Sequence, residues 1–122
     1  MVLVDTSVWV SHLRLGLPPL RALLEDGRVL SHPFVIGELA CGNLENREEI
    51  LSLLEELPKA FTAAHDEVMR FIEDQRLMGT GLGYIDVQLL AAARLTGVPI
   101  WTEDRSLKAA AARLEMAFQA DS

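Results

Sequence analysis

An apolar run that ends in an acid opens the chain and constrains its fold more than any other feature. Residues 2–4 are Val-Leu-Val, and they lead directly into Asp5, Thr6 and Ser7. A short, valine-rich apolar run is typical of a buried strand. Because ligands bind at the carboxyl ends of strands in open parallel sheets, Asp5 is a candidate site residue. The alternative is that Asp5 or Thr6 only caps the helix that follows.

Strands and helices alternate along the rest of the chain. Further strands are predicted at residues 28–31 and 99–102, and Leu114, Met116 and Phe118 alternate as an edge strand. Helices are predicted over residues 34–41, 46–57, 64–78, 84–95 and 107–113. This alternation predicts an α/β fold with a parallel sheet that is covered by helices on both faces.

Length and composition limit the classes of protein that the chain could belong to. Its 122 residues predict a single domain over residues 1–122. The formal net charge of −7 argues against binding duplex nucleic acid mainly through phosphate neutralisation. Cys41 is the only cysteine and lies in an apolar helix, which predicts a packing residue and excludes an intrachain disulfide. No apolar run approaches the ~20 residues of a membrane helix, so we expect a cytoplasmic protein.

Three further acids occur in positions that resemble that of Asp5. Glu38 is the one ionisable residue of a nearly wholly apolar helix, where an unpaired carboxylate would be costly. Asp86 opens another apolar helix, and Asp104 follows the third strand. Asp86 could simply complement the helix dipole. Glu103, next to Asp104, leaves open which of the two acids faces the site.

The predicted topology brings these four acids to one edge of the sheet, because right-handed crossovers place every strand end on the same side. Close carboxylates repel by ~1 kcal/mol per pair in water and by more in a less polar cleft. Mg²⁺ resolves such a conflict, since it accepts oxygen ligands and is commonly held by a few carboxylates. The pattern by itself therefore leaves two interpretations open: a metal site, or a set of helix caps and ion pairs.

The acids occur within four short motifs that together resemble a known family. In chain order the motifs are DTSVW at residues 5–9, VIGEL at 35–39, GYID at 83–86 and WTED at 101–104. With these motifs the sequence resembles the PIN-domain ribonucleases, and among them the VapC toxins of toxin–antitoxin modules. The likeness covers the whole chain.

This resemblance implies a fold, an activity and a set of site residues. The fold would be a three-layer α/β/α sandwich with a central, mostly parallel sheet. The activity would be that of a Mg²⁺- or Mn²⁺-dependent endoribonuclease that cleaves single-stranded RNA. The metal ligands would be Asp5, Asp86 and Asp104. Glu38 would act through a metal-bound water, and Thr6 and Thr102 would support the site.

The same resemblance implies partners. A VapB-type antitoxin would cover the acidic cleft with its C-terminal segment, and the chain would form a homodimer. Few basic residues are available to guide an RNA substrate. Those near the motifs in sequence are Arg14, Arg105 and Lys108, but an ordinary surface charge is the expectation for each.

Other functions fit the sequence less well. A haloacid-dehalogenase-like phosphatase would need a second aspartate where Ser7 stands, and a receiver-type signalling domain would need paired acids at the first strand. A PIN-like binding module without nuclease activity stays open. Trp9, Tyr84 and Trp101 could stack on bases, but core packing is the expectation for each. The histidines lack the spacing of a zinc site.

Overall fold

The computed structural model describes residues 1–120, which form three strands and seven helices. The strands are β1 (Val2–Val4), β2 (Val29–Leu30) and β3 (Ile100–Trp101). The helices are α1 (Thr6–Leu15), α2 (Pro18–Glu25), α3 (Pro33–Ala40), α4 (Arg47–Glu56), α5 (His65–Gln75), α6 (Tyr84–Thr96) and α7 (Arg105–Arg113).

The strands form one parallel sheet with the order β2-β1-β3. Leu3 of β1 is in register with Leu30 on one side and with Ile100 on the other. All three residues of β1 are at most 1% exposed, so both faces of the central strand are covered. The helix α3 packs against both α1 and α4, and α5 packs against α6. The predicted α/β/α sandwich is confirmed.

The predicted edge strand at residues 114–118 is reduced to a single bridge. Ile100 pairs with Ala117 in parallel, through one hydrogen bond from Ile100 N to Met116 O at 2.8 Å and another from Phe118 N to Ile100 O at 2.9 Å. Leu114 is instead the C-cap of α7, and Glu115 has a φ of +59°. The chain therefore becomes extended only after residue 115, too late for a strand of the predicted length.

The helix α5 also ends earlier than predicted, at Gln75 and not at residue 78. Arg76 adopts a left-handed conformation with a φ of +54°, and Leu77 N donates to Ile72 O at 3.0 Å. This is the hydrogen-bond pattern that closes a helix at a left-handed residue. Sequence reasoning missed the stop because glycine, the usual residue for this position, does not occupy it.

The prediction that Cys41 packs between helices is wrong. Cys41 is the C-cap of α3, one residue beyond its last helical turn, and it is exposed. The helical periodicity of the apolar run continued one residue further than the helix itself.

The helix α6 is the most deeply buried helix of the fold. Every residue from 87 to 93 is buried, and the helix contacts both α5 and β3. It has 13 residues, and within residues 1–120 no helix is long and apolar enough to cross a membrane. Its N-terminal turn carries Asp86 to the sheet edge where β1 and β3 end.

Candidate acidic active site

Asp5 lies at the carboxyl end of β1 and is 5% exposed. Its Oδ2 accepts hydrogen bonds from Thr102 Oγ1 at 2.6 Å and from Ser7 Oγ at 2.9 Å. Asp5 occupies the N-cap position of α1, but its side chain makes no capping hydrogen bond. The alternative that Asp5 serves only as a cap is therefore wrong, and within residues 1–120 its Oδ1 accepts no hydrogen bond.

Two hydroxyls connect Asp5 to the segment that follows β3. Thr102, which is 4% exposed, also accepts a hydrogen bond from Asp104 N at 3.0 Å. Ser7 Oγ accepts one from Glu103 N at 2.9 Å. The position of the fourth motif is thus fixed against the first motif by Thr102 and Ser7 together.

Ser7 is the residue that sequence reasoning overlooked, since it was noted only as part of a motif. The available signal was its position two residues after Asp5, which is near enough in sequence for the hydroxyl to reach that carboxylate. Ser7 Oγ also accepts a hydrogen bond from Glu103 N, which lies 96 positions away in the chain. No sequence pattern predicts this second contact.

Glu38 projects from α3 toward the start of α1. Its Oε1 accepts a hydrogen bond from Thr6 Oγ1 at 2.7 Å. Glu38 is exposed, so the expectation of a carboxylate in costly apolar surroundings is wrong. The Thr6 hydroxyl therefore contacts this carboxylate directly, and its supporting role at the site stays a prediction.

Asp86 lies in the first turn of α6, and its Oδ2 accepts a hydrogen bond from Gly83 N at 3.3 Å. Burial raises the pKa of Asp86 above its ordinary value, while the hydrogen bond from Gly83 lowers it. The negative charges of Asp104, Asp5 and Glu38 raise the pKa further. Asp86 therefore caps its helix and is also close enough to the other three acids for their charges to act on it.

The four predicted acids are brought together from four different elements. They form what we call the acidic rim, which consists of Asp5, Glu38, Asp86 and Asp104. Within residues 1–120 no lysine, arginine or histidine forms an ion pair with any of them, since the one ion pair found there joins Lys59 to Glu55. The rim is a set of oxygen donors with no protein cation to neutralise it.

The rim is not a finished coordination cage. In the described part of the chain, no three Asp, Glu, His or Cys side chains are close enough to hold one ion in their present positions. The donor chemistry fits a hard divalent cation, because such ions take carboxylate oxygens and water. Ligation by three of the acids would require side-chain adjustments.

The structure distinguishes Asp104 from Glu103. Asp104 is the N-cap of α7 and accepts a hydrogen bond from Leu107 N at 2.9 Å through Oδ1, and within residues 1–120 its Oδ2 accepts no hydrogen bond. Glu103 instead accepts a hydrogen bond from Ser11 Oγ of α1 at 2.5 Å. Of these two acids, only Asp104 raises the pKa of Asp86 through its negative charge.

The three aromatic candidates differ in their surroundings. Trp9 is 4% exposed and belongs to the core, and Trp101 is half-buried against Phe118 with 5.2 Å between the ring centroids. Tyr84 is 42% exposed, so the core-packing expectation is wrong for it. Its hydroxyl lies 2.7 Å from His65 Nδ1, which ties the start of α6 to the start of α5.

Comparisons of the sequence and the structure with known proteins identify the family. The PIN domain family matches residues 2–113 of the chain. The protein therefore belongs to the PIN-domain family. The crystal structure of PAE2754 from Pyrobaculum aerophilum has a similar fold, with a TM-score of 0.60 over 89% of this chain and 78% of that chain at 19% sequence identity.

Within the family, two curated relatives match almost end to end. They are Ribonuclease VapC32 of Mycobacterium tuberculosis strains CDC 1551 / Oshkosh and ATCC 25618 / H37Rv. Each is 45% identical to this chain over 119 residues, which covers 97% of this chain and 96% of the relative.

Proposed function

We propose that this protein is a metal-dependent endoribonuclease that cleaves single-stranded RNA and acts as the toxin of a toxin–antitoxin pair. The observation that carries the proposal is the acidic rim, where four carboxylates meet without a basic partner. The similarity of this chain to Ribonuclease VapC32 over nearly its full length supports RNA as the substrate. The PIN domain would extend over the whole chain.

The residues that would hold Mg²⁺ or Mn²⁺ are Asp5, Asp86 and Asp104, with Glu38 acting on a metal-bound water. When bound, such an ion lowers the pKa of a coordinated water and neutralises charge that develops on the phosphate. Asp5 offers Oδ1 and Asp104 offers Oδ2, because the other oxygen of each is used within the protein.

The remaining residues of the site orient these carboxylates. Thr102 and Ser7 both donate to Oδ2 of Asp5, which fixes the plane of that carboxylate. Thr6 holds Oε1 of Glu38, so that Oε2 stays free to accept a proton or to align a water. Hydrogen-bonded supports of this kind set the direction of metal-binding side chains.

The partners follow from the same relatives. We propose that an antitoxin of the VapB type covers the acidic rim, which would keep RNA out of the site. The homodimer that the resemblance implied is part of this proposal, and so is the cytoplasmic location that was expected from the lack of a long apolar run. Size-exclusion chromatography with light scattering measures the first of them directly.

The test is cleavage of a mixed set of single-stranded RNAs by purified protein in Mg²⁺ or Mn²⁺. We expect internal cuts that EDTA abolishes and that Asp5→Asn reduces at least ~100-fold. The matched control is Asp74→Asn, which removes an aspartate charge from the exposed surface of α5 and should cleave like the wild type. Cutting that survives both EDTA and Asp5→Asn would contradict the proposal.

A protein that binds RNA in EDTA but cuts none with either metal would instead be a binding module. Electrophoretic mobility of the same RNAs distinguishes that outcome from loss of folding. The Asp74→Asn control must behave like the wild type in both assays.

A further inference from the structure

A pocket of about 730 Å³ opens beside the acidic rim, between α1, α3 and the start of α4. Two of its lining residues, Thr6 and Glu38, also belong to the candidate active site, so the pocket is continuous with the rim. Its volume lies within the ~300–1,000 Å³ that is usual for sites that bind small molecules. The pocket therefore opens next to the place where the proposed metal site would hold a phosphate.

The pocket combines apolar walls with two free amides. The apolar side chains that line it are Val10, Leu13, Leu39, Leu44 and Ile50. Asn43 and Asn46 add an amide each, and within residues 1–120 neither amide makes a hydrogen bond. An amide offers a donor and an acceptor side by side, which is what the edge of a nucleobase requires.

One cation lies on the same wall. Arg14 lines the pocket together with the acids Glu38 and Glu45, and in the described residues it forms no ion pair. It was one of three basic residues that the sequence marked as candidates to guide RNA. A guanidinium at this position can bind a phosphate, because its planar fork suits phosphate oxygens.

We propose that this pocket receives one unpaired nucleobase of the RNA, next to the scissile phosphate, and that the Asn43 and Asn46 amides recognise its edge. The base would lie between apolar side chains, and Arg14 would contact the adjoining phosphate. Single-stranded RNA is recognised in this way, by bases that are turned out and bound along their edges. The inference rests on the proposed ribonuclease function and adds a source of sequence preference to it.

The backbone allows the two amides to be removed separately. Asn46 has a φ of +54°, a left-handed conformation that glycine adopts without strain, so Asn46→Gly removes the amide and keeps the turn. Asn43→Ala serves at the other position. The matched control is Gln75→Ala, which removes an amide from α5, outside the pocket.

The first experiment measures binding without cleavage. Asn43 and Asn46 are the only asparagines of the chain, so selective ¹⁵N-asparagine labelling gives two side-chain amide signals. The four ribonucleoside 5′-monophosphates are titrated one at a time in EDTA. We expect one nucleotide, or one class of base, to shift both amides saturably. Absence of any shift, or equal shifts with all four, would overturn the inference.

The second experiment maps cleavage sites in a random single-stranded RNA library. We expect a base preference beside the cut that falls ~5-fold or more in Asn43→Ala and Asn46→Gly but not in Gln75→Ala. Unchanged preference in both asparagine variants would overturn the inference and leave the ribonuclease proposal standing. Amide shifts with one nucleotide in a protein that cuts no RNA would support the pocket and contradict the ribonuclease.

A protein occupant would give a different result. If the two amides shift only when a protein partner is added and with none of the four nucleotides, the pocket is a protein-binding surface. The base-recognition inference is then wrong.

Discussion

Thr102 Oγ1 lies 2.6 Å from Asp5 Oδ2, although the two residues are 97 positions apart in the chain. The pairing of β1 with β3 sets this distance, because Val4 is in register with Trp101 and each strand ends one residue before its polar side chain. The same hydroxyl accepts a hydrogen bond from Asp104 N. The geometry of the acidic rim is therefore a direct consequence of strand register.

Replacing Thr102 by valine keeps the shape of the side chain and removes this hydroxyl. Because the hydroxyl is buried and donates to a carboxylate, we expect Thr102→Val to lower the free energy of unfolding by ~1.5–3 kcal/mol. Thr102→Ser keeps the hydroxyl and loses one methyl group, at a cost of ~1 kcal/mol or less. Urea unfolding measures both, and equal stability of Thr102→Val and the wild type would contradict the role of this hydrogen bond.

The raised pKa of Asp86 has a consequence for stability that depends on pH. When the pKa of an acid is higher in the folded state than in the unfolded state, the folded state binds more protons at a pH between the two values. The free energy of unfolding therefore falls as the pH rises through that interval. Above that interval the charged Asp86 destabilises the metal-free fold. Asp86→Asn removes the charge and keeps an acceptor for Gly83 N, so in EDTA at neutral pH it should melt ~1–3 °C higher than the wild type.

Divalent metal should reverse this order. We expect Mg²⁺ to raise the melting temperature of the wild type more than that of Asp86→Asn, because the charge that repels the other acids becomes a ligand. Asp74→Asn should respond to Mg²⁺ like the wild type. Equal shifts in the wild type and in Asp86→Asn would contradict a shared metal site.

The choice between Asp104 and Glu103 can be tested with two charge-removing variants. Asp104→Asn keeps the N-cap of α7, because asparagine caps helices as well as aspartate does. We expect Asp104→Asn to reduce RNA cleavage at least ~100-fold. The wild-type Glu103 carboxylate is hydrogen-bonded to Ser11, so Glu103→Gln should cleave RNA within ~3-fold of the wild-type rate. A larger loss in Glu103→Gln than in Asp104→Asn would reverse the assignment.

The parts of the fold that the sequence predicted are those with strong local signals. The Val-Leu-Val run predicted β1, and the helix predicted over residues 84–95 matches α6 to within one residue at its end. Acids at strand ends and helix starts then led to the rim, because parallel topology places those ends on one edge. The roles of these acids as ligands stay predictions.

The parts that the sequence did not predict depend on contacts between distant residues. Nothing local indicates that Ser7 binds Glu103 N, or that Arg76 takes the left-handed conformation that ends α5. Likewise, nothing local indicates that the Tyr84 hydroxyl contacts His65 at the start of another helix. Each of these features depends on contacts in the folded protein, and the hydrophobic periodicity of the sequence does not predict such contacts.

The most direct test of the acidic rim is a calorimetric titration of the RNA-free protein with Mn²⁺. We predict saturable binding by the wild type and by Asp74→Asn, and binding at least ~10-fold weaker in Asp5→Asn, Asp86→Asn and Asp104→Asn. Folding of each variant is checked by its melting curve. Wild-type protein that takes up no Mn²⁺, or variants that all bind it as tightly as the wild type, would contradict the account.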